Sequence, residues 1–214
     1  MILAMTRLLL IATLTVLVGP TPSLHAGKYN STLSPGDRAP VWKDLPGVDG
    51  KSHSLDDLST SKAVVVVFTC NSCPYAVDVE DRLLALHDKY AKQQVAVVAI
   101  NVNKVTEDLL PAMKKKAKDK GFQFPYLFDS SQKIAKDFGA KRTPEFFVLD
   151  GDRKVIYMGA MDDSPEGAKV TKRYVEAALD ATLAGTVVKD AETIPVGCAV
   201  RFERVRRTRR TKKN

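Results

Sequence analysis

The sequence predicts an α/β fold in which helices flank a central mixed β-sheet. An uninterrupted apolar run at 64–68 and a second run at 95–102, which is apolar except at Asn101, are rich in β-branched residues. Such runs are typical of strands that are covered on both faces. Each run is followed by a stretch whose apolar residues recur every three or four positions, which indicates a helix. An apolar hairpin later in the chain adds to the same sheet.

The first of these strands leads directly into two cysteines and a helix. Cys70 and Cys73 stand between the strand and Pro74. Proline suits the first turn of a helix, because it lacks only an N–H group that the helix could not use there. The helix that follows carries its apolar residues at Val79, Leu83, Leu86 and Tyr90.

This junction predicts redox chemistry. Two cysteines separated by two residues can form a disulfide with each other, and the positive end of a helix dipole stabilises a thiolate. We predict that Cys70 is the nucleophile, with a pKa below the usual value of about 8.5. Cys73 is then expected to attack the mixed disulfide and release the partner.

Two other uses of the pair remain open. A purely structural disulfide that closes so short a loop would contribute little stability. Zinc needs four ligands. Beyond the pair, the candidate zinc ligands in the chain are Cys198, His25, His53 and His87. Redox chemistry accounts for the pair better than either, so neither a metal nor another cofactor is predicted.

The remaining elements follow in chain order. Residues 36–58 predict a short strand, a turn and a Ser-capped helical turn. A helix is expected over 106–120, with Thr106 as its cap and a regular part that starts near Pro111. We then expect a strand at 126–128, a helix over 130–138, hairpin strands at 145–149 and 154–158, and a last helix over 168–184.

Pro144 directly precedes the first strand of the hairpin. A proline cannot donate a hydrogen bond to a β-ladder, so it suits the start of a strand or a cis peptide. We predict a cis Thr143–Pro144 bond.

The first 26 residues predict a secretory signal peptide. Arg7 precedes a mostly apolar run of eleven residues, 8–18, and small residues lead to Ala26. The run is too short to span about 30 Å of hydrocarbon as a mature segment; an uncleaved anchor is the alternative. Thiols outside the cytoplasm are oxidised unless a partner reduces them, so a redox partner is expected. The predicted divisions are a signal peptide at 1–26, a mature leader at 27–35, one domain at 36–185, and an extension with a basic tail at 186–214.

The positive charge of the chain lies in that tail. The net charge is +8, residues 201–214 contribute +7, and residues 27–200 sum to zero. The tail is expected to contact an anionic surface or to be solvated without a partner. It lacks the interleaved aromatic residues typical of specific nucleic-acid binding.

Together these motifs resemble those of the thioredoxin-fold superfamily, in the peroxiredoxin-like, redoxin (AhpC-TSA type) branch. The resemblance extends from Gly36 to Leu183 and includes the Gly-Asp-Arg-Ala-Pro opening at 36–40, the strand-CxxC-helix unit and the Thr-Pro dipeptide before the hairpin. It implies a thioredoxin-like fold with an attacking Cys70 and a resolving Cys73. It also implies that Thr143 and Pro144 bind the substrate through backbone hydrogen bonds.

The chain departs from its relatives at several positions. Neither cysteine satisfies the PxxxTxxC pattern of peroxiredoxins, and Val64 stands where thioredoxins bury an acidic residue, so no proton acceptor for Cys73 is identified. Glu80 and Asp81 are close in sequence but are expected to be solvated helix surface. Copper-binding relatives have cysteines spaced by three residues and a distant histidine; here the spacing is two, and His87 is expected at the surface.

Cys198 is a third cysteine in a loop that could fold back over the pair. It is interpreted either as a third redox thiol or as a small buried side chain. The leading hypothesis is an exported thiol–disulfide oxidoreductase that acts on protein thiols or disulfides. The alternatives are a thiol-dependent peroxidase and a metal- or protein-binding module.

Overall fold

The computed structural model describes residues 27–204. Five strands form the central sheet in the order β5-β4-β3-β7-β8. The strands are β1 (Leu45–Pro46), β2 (Ser52–His53), β3 (Ala63–Phe68), β4 (Val95–Asn101), β5 (Tyr126–Phe128), β6 (Arg142–Thr143), β7 (Glu145–Leu149), β8 (Val155–Gly159) and β9 (Cys198–Ala199). The helices are α1 (Pro74–Asp78), α2 (Glu80–Tyr90), α3 (Leu110–Lys120), α4 (Lys133–Asp137) and α5 (Tyr174–Leu183).

The sheet is mixed, as predicted. β3 pairs in parallel with β4 and antiparallel with β7, while β5 is parallel to β4 and β8 is antiparallel to β7. Parallel strands end at the same edge of a sheet, so the carboxyl ends of β3 and β4 lie side by side. The cysteine pair follows one of these ends, and the loop before α3 follows the other.

Both faces of the sheet are covered, because every residue of β3 is buried. Successive side chains of a strand point to opposite faces. Val65 and Val67 therefore pack with the cluster that includes α2, α3 and α5. Val66 and Phe68 pack on the other face, where the rings of Phe68, Phe138 and Phe147 meet edge to face with centroids 5.0 to 5.8 Å apart. The burial on two faces accounts for the uninterrupted apolar run.

Two helices begin later than predicted, because side chains bind the backbone ahead of them. The carboxylate of Asp129 accepts hydrogen bonds from the N–H groups of Ser131 and Ile134, so α4 begins at Lys133. The carboxylate of Asp163 accepts hydrogen bonds from the N–H group and the hydroxyl of Thr171, and between these two residues the chain forms a short 3-10 turn, Gly167–Lys169. As a result α5 begins at Tyr174, and the prediction of a helix from residue 168 is wrong.

The other helices are close to the predictions. The first helical segment is divided at Val79 into α1 and α2, and the expected continuous helix is therefore wrong at that residue. The α-helical part of the next segment begins at Leu110, close to the expected start near Pro111. Thr106 lies inside a short 3-10 turn and does not cap it, because Val105 occupies the cap position.

The segments on either side of the predicted 36–185 domain pack against it. The carboxylate of Glu192 accepts hydrogen bonds from the backbone N–H groups of residues 28–30. Asn30 donates to the carbonyl of Phe138, and Val200 is buried in the core. Within residues 27–204, no helix is long and apolar enough to cross a membrane. The predicted signal peptide and residues 205–214 of the basic tail lie outside the described residues.

Candidate active site

The two cysteines of the CxxC motif lie together at the carboxyl end of β3. Cys70 follows the strand after one residue, and Cys73 is the N-cap of α1. Both are free thiols, and both are buried, with 2% of each residue exposed. The two side chains pack in one buried cluster with Ala76, and each thiol shifts the pKa of the other. The fold therefore places the two thiols where they can form one disulfide.

The Thr143–Pro144 peptide faces this pair and is cis, as predicted. Cys73 Sγ donates a hydrogen bond to the carbonyl oxygen of Thr143 at 2.9 Å. The hydroxyl oxygen Oγ1 of Thr143 lies 3.6 Å from Cys70 Sγ. Cys70, Cys73, Thr143 and Pro144 therefore lie together, although about 70 positions of the chain separate the cysteines from the Thr-Pro dipeptide.

Cys198 joins the same constellation. The strand β9 pairs antiparallel with β6, and this register places Cys198 opposite Thr143. The Cys198 side chain is half-buried and packs against the Cys70 and Cys73 cluster. Its thiol and its backbone N–H group favour the thiolate form of Cys73.

Comparison with known proteins identifies the family. Residues 35–158, more than half of the chain, match the AhpC/TSA family. The chain belongs to this family. It is 26% identical over 133 residues to thiol-disulfide oxidoreductase ResA of Bacillus thuringiensis, covering 60% of this chain and 74% of that protein.

Solved structures agree with this assignment. An uncharacterized conserved protein from Geobacillus kaustophilus is 37% identical, with a TM-score of 0.76, and the match covers 81% of this chain and 95% of that one. A putative thiol:disulfide interchange protein DsbE from Chlorobium tepidum is 26% identical, with a TM-score of 0.59, covering 71% and 99%. The predicted thioredoxin-like fold, the redoxin branch and the oxidoreductase class are thereby confirmed.

This AhpC/TSA protein holds the loop between its cysteines with a carboxylate that the sequence analysis missed. Asp108 is fully buried, and its two oxygens accept hydrogen bonds from the backbone N–H of Ser72 at 2.9 Å and from the Ser72 hydroxyl at 2.7 Å. Asn103 donates to the same carboxylate. The signal that could have identified Asp108 is its place in the loop after β4, because parallel β3 and β4 end at the same edge.

The expectation of a solvated surface position is wrong for Glu80 and correct for Asp81. Glu80 is buried and its carboxylate pairs with Lys116 at 2.7 Å and Lys120 at 3.3 Å, both on α3. Asp81 is exposed, with 87% of its side chain accessible. A carboxylate can be buried in this way only when it is paired. Glu80 therefore connects α2 to α3.

The two thiols share their protons unequally. Hydrogen bonds from Cys70 and Cys198, together with the N–H of Ala76 at the helix start, lower the pKa of Cys73 to about 4, although burial opposes this. The hydrogen bond to Cys73, burial and the nearby carboxylate of Asp108 raise the pKa of Cys70 well above its ordinary value. The reduced pair therefore carries one thiolate at neutral pH, and its titration is a property of both sulfurs together.

The prediction of a lowered pKa at Cys70 concerns the pair as a whole, because a protonated Cys73 donates to the Thr143 carbonyl and leaves the thiolate on Cys70. Cys73 occupies the N-cap position of α1, at the end of the helix where the first N–H groups are free, and makes no side-chain capping hydrogen bond. Cys70 precedes it by three residues, in a loop beside the carboxylate of Asp108.

This charge distribution predicts the thiolate titration of the reduced protein. Because the lowered pKa lies below 7, thiolate absorbance near 240 nm is expected to persist as the pH falls from 8 to 6 and to disappear near pH 4. Cys70→Ser replaces the thiol that lowers the pKa of Cys73 most, so the pH at which the thiolate absorbance disappears is expected to rise. The oxidised protein is the blank. A reduced protein that shows no thiolate absorbance below pH 8 would contradict this assignment.

An apolar groove runs beside the cis peptide. It is lined by Pro144, Tyr75 and Val79, by Met161 from the loop after β8, and by Val196. Tyr75 and Val196 are substantially exposed, with 39% and 47% of each residue accessible. Within residues 27–204, no three His, Cys, Asp or Glu side chains are placed to hold a metal ion.

Proposed function

We propose that this chain is an exported thiol–disulfide oxidoreductase in which Cys70 and Cys73 form the redox pair. The observation that carries the proposal is the contact between two free sulfurs at the start of a helix, facing a cis Thr143–Pro144 peptide. In the reaction, two thiols give two electrons and two protons to a disulfide of a protein substrate. The curated relatives named thiol-disulfide oxidoreductases support this chemistry.

The single negative charge of the pair can lie on either sulfur, and hydrogen bonds stabilise it in both positions. When the charge is on Cys73, the donors are the thiols of Cys70 and Cys198. When the proton moves to Cys73, this thiol donates to the Thr143 carbonyl, and the hydroxyls of Ser72 and Thr143 lie within 3.7 Å of the Cys70 sulfur. The second arrangement makes Cys70 the attacking sulfur, and Cys73 then resolves the mixed disulfide.

Substrate binding is proposed at the groove beside Thr143 and Pro144; Pro144 lines this groove, and the backbone of Thr143 is itself paired with β9. The groove beside them is apolar and exposes aromatic and aliphatic side chains, which suits an extended segment of an unfolded or flexible protein. Asp163 lies at the same groove and would favour segments with positive charge, whereas Asp162 there is already paired with Arg82 at 2.9 Å. The partners are thus a protein thiol or disulfide and a second protein that restores the redox state of the pair.

The test is reduction of insulin disulfides by dithiothreitol, followed by turbidity. Wild-type protein is expected to accelerate the reaction, and Cys70→Ser is expected to lose most of the acceleration, because the proposed attacking sulfur is gone. Cys73→Ser is expected to accumulate a mixed disulfide on Cys70, detected by mass spectrometry. Equal activity of wild type and Cys70→Ser would refute the proposal. Far-ultraviolet circular dichroism of each variant controls for folding.

A thiol-dependent peroxidase is the second candidate, favoured by the match to the AhpC/TSA family. The peroxiredoxin pattern would place a threonine three residues before the reactive cysteine, and here that position is Val67, a buried valine. The Thr143 hydroxyl near Cys70 Sγ is the available substitute. Consumption of hydrogen peroxide that depends on Cys70 and outpaces insulin reduction would select this candidate instead.

Export is proposed from the pattern of residues 1–26, and the basic tail is proposed to contact an anionic surface. N-terminal sequencing of the protein recovered from outside the cytoplasm is expected to begin at Gly27. A protein that keeps its first residues and fractionates with membranes would indicate an uncleaved anchor.

A further inference from the structure

The C-terminal strand occupies the edge at which a substrate would meet the cis-proline loop. β9 is hydrogen-bonded to β6, so the backbone of Arg142 and Thr143 is already paired with Cys198 and Ala199. An edge strand can accept only one further strand on its open side. The chain therefore places a segment of its own, with a cysteine in it, in front of the buried pair.

The close approach of this segment depends on Gly197. A Cβ atom built there would lie 2.2 Å from the carbonyl oxygen of Thr143 and 3.0 Å from the nitrogen of Pro144, both backbone atoms. Contacts this short do not occur in real proteins, so no larger residue fits without moving the segment. Glycine thus permits the backbone contact that brings Cys198 to the pair.

Cys198 is directed at one sulfur of the pair. The strand register sets it opposite Thr143, whose carbonyl oxygen lies 2.9 Å from Cys73 Sγ, and it packs against the cluster of Cys70 and Cys73. Cys73 is therefore the sulfur of the pair that Cys198 is placed to meet. Cys198 is half-buried, whereas Cys70 and Cys73 are buried, so it is the most accessible of the three thiols.

We propose that Cys198 is a third catalytic thiol, which exchanges with the Cys70–Cys73 disulfide and carries it to the accessible edge of the site. The proposal rests on the proposed function of the pair. In the exchange, the Cys198 thiolate attacks Cys73 Sγ, the Cys73–Cys198 bond forms and the Cys70–Cys73 bond breaks. The electron pair leaves on Cys70, which takes up the proton that Cys198 has lost. No electrons enter or leave the protein in this step.

The negative charge on the reduced pair determines when Cys198 becomes a reactive thiolate. In the reduced protein, burial and the neighbouring Cys73 raise the pKa of Cys198 to about 11. Oxidation of the pair removes the negative charge from Cys73, while Arg201 and Arg142 continue to favour a Cys198 thiolate. The third thiol therefore becomes more reactive when the pair holds a disulfide. A reductant then meets this disulfide at Cys198 and not at the buried sulfurs.

The exchange is tested by peptide mapping without reduction. The full chain is oxidised with glutathione disulfide, its free thiols are blocked with iodoacetamide, and it is digested with trypsin. Cleavage after Lys62 and Arg82 releases residues 63–82 with both Cys70 and Cys73, and cleavage after Lys189 and Arg201 releases residues 190–201 with Cys198. A bond within the pair leaves these two peptides separate. A Cys73–Cys198 bond joins them.

Matched variants separate the possible pairings. Cys70→Ser is expected to give the joined peptides as its main product, and Cys73→Ser to give several-fold less, because Cys198 contacts Cys73. Gly197→Ala keeps all three thiols and is expected to lower the yield of joined peptides. Gly151→Ala, where the nearest atom to a new Cβ lies 3.6 Å away, serves as its control.

The outcomes distinguish this inference from the proposed function. If Cys70→Ser gives no more joined peptide than Cys73→Ser, the role of Cys198 is refuted, while insulin reduction by the wild type still supports the pair. If the wild type does not reduce insulin, the proposed function fails whatever the peptide map shows. Equal yields of joined peptide in Gly197→Ala and Gly151→Ala would refute the part that the glycine contact plays.

Discussion

Replacement of Asp108 by alanine is expected to lower kcat/KM for insulin reduction by about 10²-fold, the scale of a misplaced reacting group. The carboxylate binds both the N–H and the hydroxyl of Ser72, and Ser72 lies between the two cysteines. Without it, the part-buried N–H group of Ser72 loses its partner, at a cost below the roughly 1–3 kcal/mol of a fully buried donor. The loop is then expected to shift and to separate the sulfurs from Thr143.

Asp108→Asn separates the two effects of this side chain. Asparagine keeps an acceptor for the Ser72 N–H group but removes the negative charge that raises the pKa of Cys70. Most of the rate is therefore expected to return, with the pH–rate profile moved to lower pH. Asp119→Ala, which removes an exposed ion pair with Lys115 on α3, is the control and should leave the rate unchanged. Full activity in Asp108→Ala would refute the role of the carboxylate.

Phe147→Ala is expected to lower the free energy of unfolding by about 3–5 kcal/mol, the usual cost of removing a buried aromatic ring. Phe147 is fully buried in the middle of β7, and its ring packs edge to face on Phe68 and Phe138, with centroids 5.8 and 5.0 Å away. Truncation leaves a cavity between these rings and removes two aromatic contacts. Such a loss is a large part of the stability of an ordinary domain, which is about 5–15 kcal/mol.

The measurement is chemical denaturation of the reduced protein, monitored by circular dichroism. Val187→Ala is a suitable control, because Val187 is 92% exposed and its truncation should change the stability by no more than about 0.5 kcal/mol. A loss below about 1 kcal/mol in Phe147→Ala would show that the contacts of this ring with Phe68 and Phe138 contribute little to stability.

The local features of the site follow from short stretches of sequence. The apolar run at 64–68 predicts a central strand because only a strand covered on both faces is apolar at every position. Pro74 predicts the start of α1, and Pro144 predicts the cis peptide, because proline restricts its own backbone and that of its neighbour. These predictions are correct because their causes lie within a few residues.

Other features depend on contacts between distant residues. Asp108 reaches Ser72 from 36 positions away, and Glu80 is buried because α3 brings Lys116 beside it. Neither contact has a sequence pattern, since each requires the order of strands and helices around the sheet. The late start of α5 likewise results from the hydrogen bonds of Asp163 to Thr171, which local periodicity does not register.

The sequence by itself determined the α/β class, the CxxC pair between a strand and a helix, and the cis-proline loop, because each is specified by neighbouring residues. Only the tertiary structure decided that the two thiols titrate as a pair, that a buried carboxylate holds the loop between them, and that Cys198 packs against them. The physical reason is that hydrogen bonds and pKa values depend on distances in space, and folding brings together groups far apart in the chain, such as Lys28 and Glu192, which are 164 positions apart.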